Sequence, residues 1–297
     1  MSERERLPRP GWLKVSLKTT ENFQQVGALI SDHSLHTVCQ EARCPNIYEC
    51  WNQRTATFMI LGDICTRHCG FCSVKKDKPG VVDCEEPGNV AKAAETMGLG
   101  YAVVTSVDRD DLPDGGAAHF ARTIAAIRAR LPHCRVEVLI PDFSGRRDLL
   151  EIVLDARPDV LAHNLETVKP LYRRVRPVAV YERSLEIIRT TAEYSANKRI
   201  NIRTKCGIMV GLGETTDEIL GTIRDIAGTG CDIITIGQYL SPKRNSLPVE
   251  KFYTPGEFAL FREKALEFGI KHAESAPLVR SSYHAHLAHI ETQKKGG

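Results

Sequence analysis

Cysteine is the residue type whose number and spacing in this sequence point most directly to chemistry. The chain of 297 residues has ten cysteines, and six of them fall within residues 39–72. Three of the six, Cys65, Cys69 and Cys72, form a CxxxCxxC pattern directly after an apolar run. Thiolates bind zinc and iron–sulfur clusters, so this spacing predicts one compact metal centre.

The CxxxCxxC pattern favours an iron–sulfur cluster over a structural zinc ion. Zinc usually takes four ligands supplied as two CxxC-type pairs, and no second pair lies at that spacing here. A four-iron cluster held by three thiolates keeps one iron without a protein ligand, which is useful only where another molecule binds. A zinc knuckle or a set of buried structural cysteines is the alternative.

A second group of three cysteines precedes the first. Cys39, Cys44 and Cys50 form a CxxxxCxxxxxC pattern, and this different spacing predicts a second centre. Disulfides are disfavoured, because an even number of cysteines indicates them mainly in small secreted chains. The charged first residues of this chain do not resemble a signal peptide.

Apolar runs alternate with helical periodicity along the rest of the chain. Strands are predicted at residues 56–61, 101–105, 135–140, 159–162, 200–210 and 232–236, and residues 270–273 could add a short one. Helices are predicted at residues 89–97, 117–130, 146–155, 181–194, 216–228 and 257–268. This alternation predicts an α/β fold with a parallel sheet, and six βαβ units fit an open partial barrel better than a closed one.

Composition excludes several classes of protein. Hydrophobic residues make up 42% and charged residues 26%, which is typical of a globular chain. The net charge is only +3, from 40 basic and 37 acidic residues, so a nucleic-acid partner is not expected. No apolar run reaches the roughly 18 residues of a membrane span, and we expect a cytoplasmic protein without a membrane partner.

The two cysteine patterns together resemble a known family. CxxxCxxC with Phe71 before its last cysteine resembles the signature of the radical S-adenosylmethionine (SAM) superfamily. With the CxxxxCxxxxxC pattern added, the chain is similar to the lipoyl synthase family. The similarity extends over residues 42–46, 56–62, 105–112, 163–167, 207–215, 237–240 and 280–283, which cover most of the chain.

The resemblance implies a fold, a reaction and its cofactors. The fold is a radical SAM partial (β/α)6 barrel at residues 53–275, with an auxiliary-cluster extension at 1–52 and a closing segment at 276–297. The cofactors are two 4Fe-4S clusters and SAM, which is cleaved to a 5′-deoxyadenosyl radical. The reaction inserts two sulfur atoms, taken from the auxiliary cluster, at carbons 6 and 8 of a protein-bound octanoyl-lysine.

The resemblance also implies the roles of individual residues. Cys65, Cys69 and Cys72 hold the radical SAM cluster, whereas Cys39, Cys44, Cys50 and Ser282 hold the auxiliary cluster, with Ser281 as the alternative to Ser282. The expected SAM contacts are Phe71 and Gly211 for the adenine, Thr105, Ser106 and Asp108 for the amino end, Asn164 and Glu166 for the ribose or methionine, and Arg203 and Lys205 for the carboxylate. Ser282 and the three radical-cluster cysteines are the expected catalytic residues.

Partners follow from the same resemblance. The substrates are octanoylated lipoyl domains of 2-oxoacid dehydrogenase E2 subunits or the glycine cleavage H protein. A flavodoxin or ferredoxin would supply electrons, and an iron–sulfur carrier protein would renew the auxiliary cluster. One departure is that residues 245–248 read Asn-Ser-Leu-Pro, where the family usually has His-Leu-Pro.

Two other functions compete with this interpretation. A biotin-synthase-like or methylthio-transferring enzyme is disfavoured, because the second cysteine group precedes the radical motif. A non-catalytic iron–sulfur or zinc regulator would need neither an open iron nor six barrel units.

Overall fold

The computed structural model describes residues 7–283 and 285, so part of the predicted closing segment 276–297 lies outside the described residues. The strands are β1 (His36–Thr37), β2 (Thr57–Ile60), β3 (Ile64–Cys65), β4 (Lys75–Lys76), β5 (Tyr101–Ser106), β6 (Arg135–Leu139), β7 (Val160–Ala162), β8 (Arg203–Val210), β9 (Ile233–Gln238) and β10 (His272–Ala276). The α-helices are α1 (Glu21–Asp32), α2 (Val38–Glu41), α3 (Ile47–Asn52), α4 (Glu86–Met97), α5 (Ala117–Arg130), α6 (Arg147–Asp155), α7 (Tyr172–Val175), α8 (Tyr181–Lys198), α9 (Thr216–Ala227) and α10 (Pro255–Glu267).

The main sheet has the strand order β1-β2-β5-β6-β7-β8-β9-β10. All neighbours from β2 to β10 are parallel, and β1 is antiparallel to β2. Within the described part of the chain β1 and β10 do not pair, so the barrel is open between them. The predicted open α/β barrel is confirmed, and β10 adds a seventh parallel strand to the six that were predicted with most support.

The helices cover the outer face of the sheet through the apolar stripes that the sequence predicted. Phe120, Ile124 and Ile127 of α5, spaced by three and four residues, are all fully buried. Two helices begin with a reciprocal capping box, α9 at Thr215 and α10 at Thr254. This packing leaves the carboxyl ends of the parallel strands free to carry functional side chains.

The segment before β2 forms three helices that the sequence analysis did not predict. Phe23, Val26 and Ile30 of α1 follow helical spacing, and Val26 and Ile30 are buried. The short helices α2 and α3 carry Cys39 and Cys50. None of the helices in the described ranges has the length and hydropathy to cross a membrane.

Candidate functional site

One cavity lies at the carboxyl ends of the parallel strands. It is lined by nine of the predicted site residues: Cys65, Cys69, Phe71, Cys72, Thr105, Ser106, Asp108, Asn164 and Glu166. Cys65 ends β3, and the other two cysteines follow it. Thr105 and Ser106 end β5, whereas the remaining polar residues follow β5 or β7. Because parallel strands end at one edge of the sheet, residues distant in sequence meet here. We call this space the radical cavity.

Arg67 anchors the cysteine loop to the sheet. Its guanidinium is only 3% exposed and donates two hydrogen bonds of 2.7 Å to Asp110. It also donates to Asp142, at 2.7 Å, and Asp142 is completely buried. Although burial opposes ionisation, the hydrogen bond and charge of Arg67 lower the pKa of Asp142 to about 2. This ion pair therefore fixes the loop between Cys65 and Cys69.

The thiols of the radical cavity are poorly ionised without metal. Burial raises the pKa of Cys65 and of Cys69 to about 11, and it also raises the pKa of Cys72. The carboxylate of Asp108, 3.8 Å from the Cys65 sulfur, adds to the rise at Cys65. Iron must therefore displace protons when it binds, as is general for thiolate ligands.

In the described part of the chain, three polar atoms of residues that line the cavity are buried and have no hydrogen-bond partner. They are Ser106 Oγ, Asn164 Oδ1 and Arg176 Nε. Buried polar atoms are normally paired, so their presence around a cavity indicates a polar ligand. Arg176 also donates from Nη1 to the Asn164 carbonyl at 2.7 Å. The sequence analysis missed this residue, although the basic run at residues 173–176, shortly after a strand end, was a visible signal.

Three predicted SAM contacts lie elsewhere. Lys205 is 1% exposed, and its Nζ donates to Glu137 at 2.8 Å. The Arg203 guanidinium lies 3.5 Å from Asp232. Gly211 has a φ of +109°, and a Cβ there would meet Gln238 Nε2 at 2.2 Å, so internal packing already accounts for this glycine. None of the three lines the radical cavity.

A second cavity lies at the amino ends of β2, β5 and β6. It is lined by Cys39, Cys44 and Cys50 from the amino-terminal segment and by Arg280 and Ser282 from the carboxyl-terminal segment. Its volume is about 700 Å³, against about 170 Å³ for the radical cavity. We call this larger space the auxiliary cavity.

The thiols of the auxiliary cavity, like those of the radical cavity, are mostly protonated in the absence of metal. Burial raises the pKa of Cys39 to about 11 and that of Cys50 to about 12. Burial raises the pKa of Cys44 as well, although the positive charge of Arg280 opposes this. A cation beside the thiols offsets part of the negative charge that three thiolates would bring.

Hydrogen bonds join the two terminal segments around the auxiliary cavity. The Asn46 Nδ2 donates to the Leu278 carbonyl at 2.8 Å, across 232 residues of sequence. The Tyr283 hydroxyl donates to Glu49 of α3 at 2.9 Å. The amino- and carboxyl-terminal segments therefore form one wall only when both are folded.

The two serines that the sequence left as alternatives have different surroundings. The Ser281 Oγ accepts a hydrogen bond of 2.7 Å from Asn164 Nδ2 of the radical cavity. Ser282 lines the auxiliary cavity, whereas Ser281 does not. This arrangement favours Ser282 over Ser281 as the residue near the auxiliary cysteines.

The residues of both cavities fit iron–sulfur clusters. All ten cysteines are free thiols. In the described residues no three potential ligands converge closely enough for a single ion, whereas a cluster takes one thiolate on each of several separate irons. In the radical cavity, three thiols lie beside unpaired polar atoms, which suits a cluster with a polar ligand next to it.

Comparisons with known proteins agree with this chemistry. Residues 59–226 match the Radical SAM superfamily, and residues 1–44 match the N-terminal domain of lipoyl synthase. The lipoyl synthase of Rubrobacter xylanophilus is 56% identical over 96% of this chain and 87% of its own length. That of Symbiobacterium thermophilum is also 56% identical, over 93% of this chain and 85% of its own length.

A solved structure shows the same fold at low sequence identity. Methylornithine synthase superposes with a TM-score of 0.54 over 88% of this chain and 84% of its own, with 14% identity. The identity is too low to carry function, but the shared barrel agrees with the fold described above. On the sequence matches and this geometry, the chain belongs to the lipoyl synthase family of the radical SAM superfamily.

Proposed function

We propose that this chain inserts sulfur at carbons 6 and 8 of an octanoyl-lysine carried by a lipoyl domain, with its two cavities holding two separate 4Fe-4S clusters. Cys65, Cys69 and Cys72 would hold a cluster that supplies one electron to cleave SAM into methionine and a 5′-deoxyadenosyl radical, and the auxiliary cysteines would hold a cluster that supplies sulfide. Each radical would take one hydrogen atom from carbon 6 or carbon 8 and become 5′-deoxyadenosine, so two SAM molecules would be used for two C–S bonds. The carbons of an alkyl chain carry no acidic hydrogen, so acid–base side chains could not activate them.

The observation that carries this proposal is the presence of two separate cavities, each lined by three cysteines. Cys65, Cys69 and Cys72 line one cavity, and Cys39, Cys44 and Cys50 line the other. A single metal centre would leave one group of three thiols without a role. Ser282 lines the auxiliary cavity, and its neighbour Ser281 bonds to Asn164 of the radical cavity, which supports two centres that act on one substrate.

Each side chain in the radical cavity has a role that its geometry supports. Arg176, buried with an unpaired Nε, is our candidate for the SAM carboxylate in place of Arg203 and Lys205. Asn164 Oδ1 and Ser106 Oγ offer buried polar atoms to the ribose and the amino end. Buried polar atoms hold such a ligand in one orientation and exclude water from the radical.

In the auxiliary cavity, Ser282 is our candidate for the fourth ligand. A hydroxyl oxygen is a harder and weaker ligand for iron than a thiolate, which suits a position that must open when sulfide leaves. The cavity is larger than the radical cavity, so space remains beside a cluster for part of an acyl chain.

The partners and boundaries stay predictions at this point. We propose E2 lipoyl domains or the glycine cleavage H protein as substrates, flavodoxin or ferredoxin as reductant, and an iron–sulfur carrier as the source of new clusters. The division at residues 1–52, 53–275 and 276–297 and a cytoplasmic location are also proposed.

The test is incubation of the anaerobically reconstituted chain with an octanoylated lipoyl-domain peptide, a reductant and SAM. Mass spectrometry of the peptide should show two added sulfur atoms, with 5′-deoxyadenosine formed in parallel. Iron analysis should give about eight irons per chain, four for each cluster. A peptide that remains unmodified while 5′-deoxyadenosine accumulates, or a chain that binds one zinc and no iron, contradicts the proposal.

A further inference from the structure

The turn at residues 280–283 contains two consecutive serines, of which Ser281 bonds to a residue of the radical cavity and Ser282 lines the auxiliary cavity. The Tyr283 N–H donates to the Arg280 carbonyl at 3.0 Å, which closes a four-residue turn with Ser281 and Ser282 at its centre. A displacement of one serine within so short a closed turn necessarily moves the other.

The two ends of the Asn164 amide group differ in their hydrogen-bond partners. Its Nδ2 donates to Ser281 at 2.7 Å and to Glu166 at 3.0 Å, so both amide hydrogens are used. Its Oδ1 is buried and has no hydrogen-bond partner among the residues that the structure describes. Because the amide is planar, a ligand that bonds to Oδ1 also fixes the direction of Nδ2.

The surroundings leave the Asn164 side chain little freedom to turn away. A Cβ at residue 207 would lie 2.6 Å from Asn164 Oδ1, so Gly207 makes the space for this amide. Arg176 holds the Asn164 backbone carbonyl at 2.7 Å. Asn164 is therefore a rigid connection between a ligand in the radical cavity and the hydroxyl of Ser281.

We propose that Ser281 is a positioning residue that couples the two cavities. Through the 280–283 turn, its hydrogen bond with Asn164 directs Ser282 toward the auxiliary cysteines, and SAM in the radical cavity strengthens that alignment. Coupling of this kind is reciprocal, so an assembled auxiliary site raises the affinity for SAM. This inference rests on the proposed function, because it takes SAM as the ligand of the radical cavity.

The experiment measures SAM affinity by anaerobic equilibrium dialysis of the reconstituted full chain, in a two-by-two comparison. One change is the combined Cys39→Ala, Cys44→Ala and Cys50→Ala replacement, which removes the auxiliary ligands. The other is Ser281→Ala, which removes the hydrogen-bond acceptor. When Ser281 is present, loss of the auxiliary ligands should weaken SAM binding about fivefold, which corresponds to the net contribution of one hydrogen bond. In the Ser281→Ala background, the same loss should not change SAM affinity.

The conservative variant Ser281→Thr keeps the hydroxyl. In this variant, loss of the auxiliary ligands should still weaken SAM binding about fivefold. An equal effect of the cysteine replacements with and without Ser281 would overturn the proposal. Loss of about four irons in Ser281→Ala alone would also overturn it, because Ser281 would then be a cluster ligand.

A second measurement on the unaltered chain protects the test against a misfolded variant. Hydrogen–deuterium exchange of the amides at residues 280–283 should slow when SAM is added to the reconstituted protein. Unchanged exchange there would count against the coupling. A chain that shows this linkage but adds no sulfur to an octanoylated peptide contradicts the proposed function alone, whereas a chain that adds sulfur without the linkage contradicts only the inference.

Discussion

The radical and auxiliary cavities differ in the sequence separation of the segments that hold them together. The three cysteines of the radical cavity lie within residues 65–72, in a loop held by buried ion pairs and placed at the ends of parallel strands. The auxiliary cavity joins the segments around Asn46 and Leu278, which are 232 residues apart. The first is fixed by the barrel itself, and the second exists only when two terminal segments dock on each other.

This difference indicates a division of labour between a permanent site and a renewable one. A site supported by a rigid sheet keeps its geometry through repeated turnover. A site closed by a short turn and a few hydrogen bonds opens at smaller cost, because local opening follows the number of contacts broken. A cluster that gives up its sulfide and must be rebuilt fits the second kind of site.

The largest expected effect comes from removing one cysteine group at a time. Replacing Cys65, Cys69 or Cys72 by alanine should abolish 5′-deoxyadenosine formation, because each holds the cluster that delivers the electron. Replacing Cys39, Cys44 or Cys50 should spare SAM cleavage and eliminate sulfur insertion. Chromatographic assay of 5′-deoxyadenosine and mass spectrometry of the peptide measure the two activities.

Cys84→Ala is the matched control for these variants, since Cys84 is exposed and lines neither cavity. It should retain both activities. If both groups of variants lose SAM cleavage equally while binding their remaining iron, the two cavities do not divide the reaction.

The next largest effect is expected for the ion pair between Arg67 and Asp142, which supports the cysteine loop of the radical cavity. Arg67→Ala leaves the buried Asp142 without its closest cation and should lower the free energy of unfolding by about 3 kcal/mol. Urea unfolding of the metal-free protein measures the change. Arg130→Ala, which removes an exposed ion pair with Glu95, is the control and should cost less than about 1 kcal/mol.

The same ion pair predicts a dependence on pH. The pKa of Asp142 falls from 3.8 to about 2 on folding. Its contribution to the free energy of unfolding is therefore complete above about pH 4 and is lost as the pH falls toward 2. In Asp142→Asn the decline in stability between these pH values should be shallower. An identical decline in both proteins would show that Arg67 and Asp142 do not stabilise the loop electrostatically.

Sequence alone was sufficient for the main strands and helices of the barrel, although not for the helices before β2. The spacing of Phe120, Ile124 and Ile127 indicated the buried face of α5, and the order of strands and helices indicated the open barrel. The cysteine spacing separated the two groups of thiols that line the two cavities. Such patterns are local, and a parallel sheet brings the strand ends together without further information.

Side-chain partners could not be predicted in the same way. Lys205 was expected at SAM, but it pairs with Glu137 on another strand of the barrel, and nothing in the local sequence distinguishes a buried ion pair from a ligand contact. The directions of Ser281 and Ser282 depend on Asn164, which lies 117 residues before Ser281. These contacts are set by tertiary structure rather than by spacing.

A smaller effect distinguishes Arg176 from the cations that the sequence favoured. Arg176→Lys keeps the charge but removes the planar, multidentate donor, so SAM affinity should fall about tenfold. Arg203→Lys should change that affinity less than twofold, because Arg203 lies outside the radical cavity. Anaerobic equilibrium dialysis measures both, and the reverse order would return the carboxylate role to Arg203.

The smallest effect tests whether docking of the termini supports only the auxiliary cavity. Asn46→Ala removes the buried hydrogen bond to Leu278 and should cost about 1 kcal/mol locally. We expect less iron in the auxiliary cavity and a normal amount in the radical cavity. Iron analysis in the Cys65→Ala/Cys69→Ala/Cys72→Ala background reports on the auxiliary cavity. The same analysis in the Cys39→Ala/Cys44→Ala/Cys50→Ala background reports on the radical cavity. Tyr283→Phe is the control, because it removes a more exposed bond between the same segments and should change occupancy less. Equal loss of iron from both cavities in Asn46→Ala would mean that the terminal segments support the whole barrel, and the contrast between a permanent and a renewable site would then be wrong.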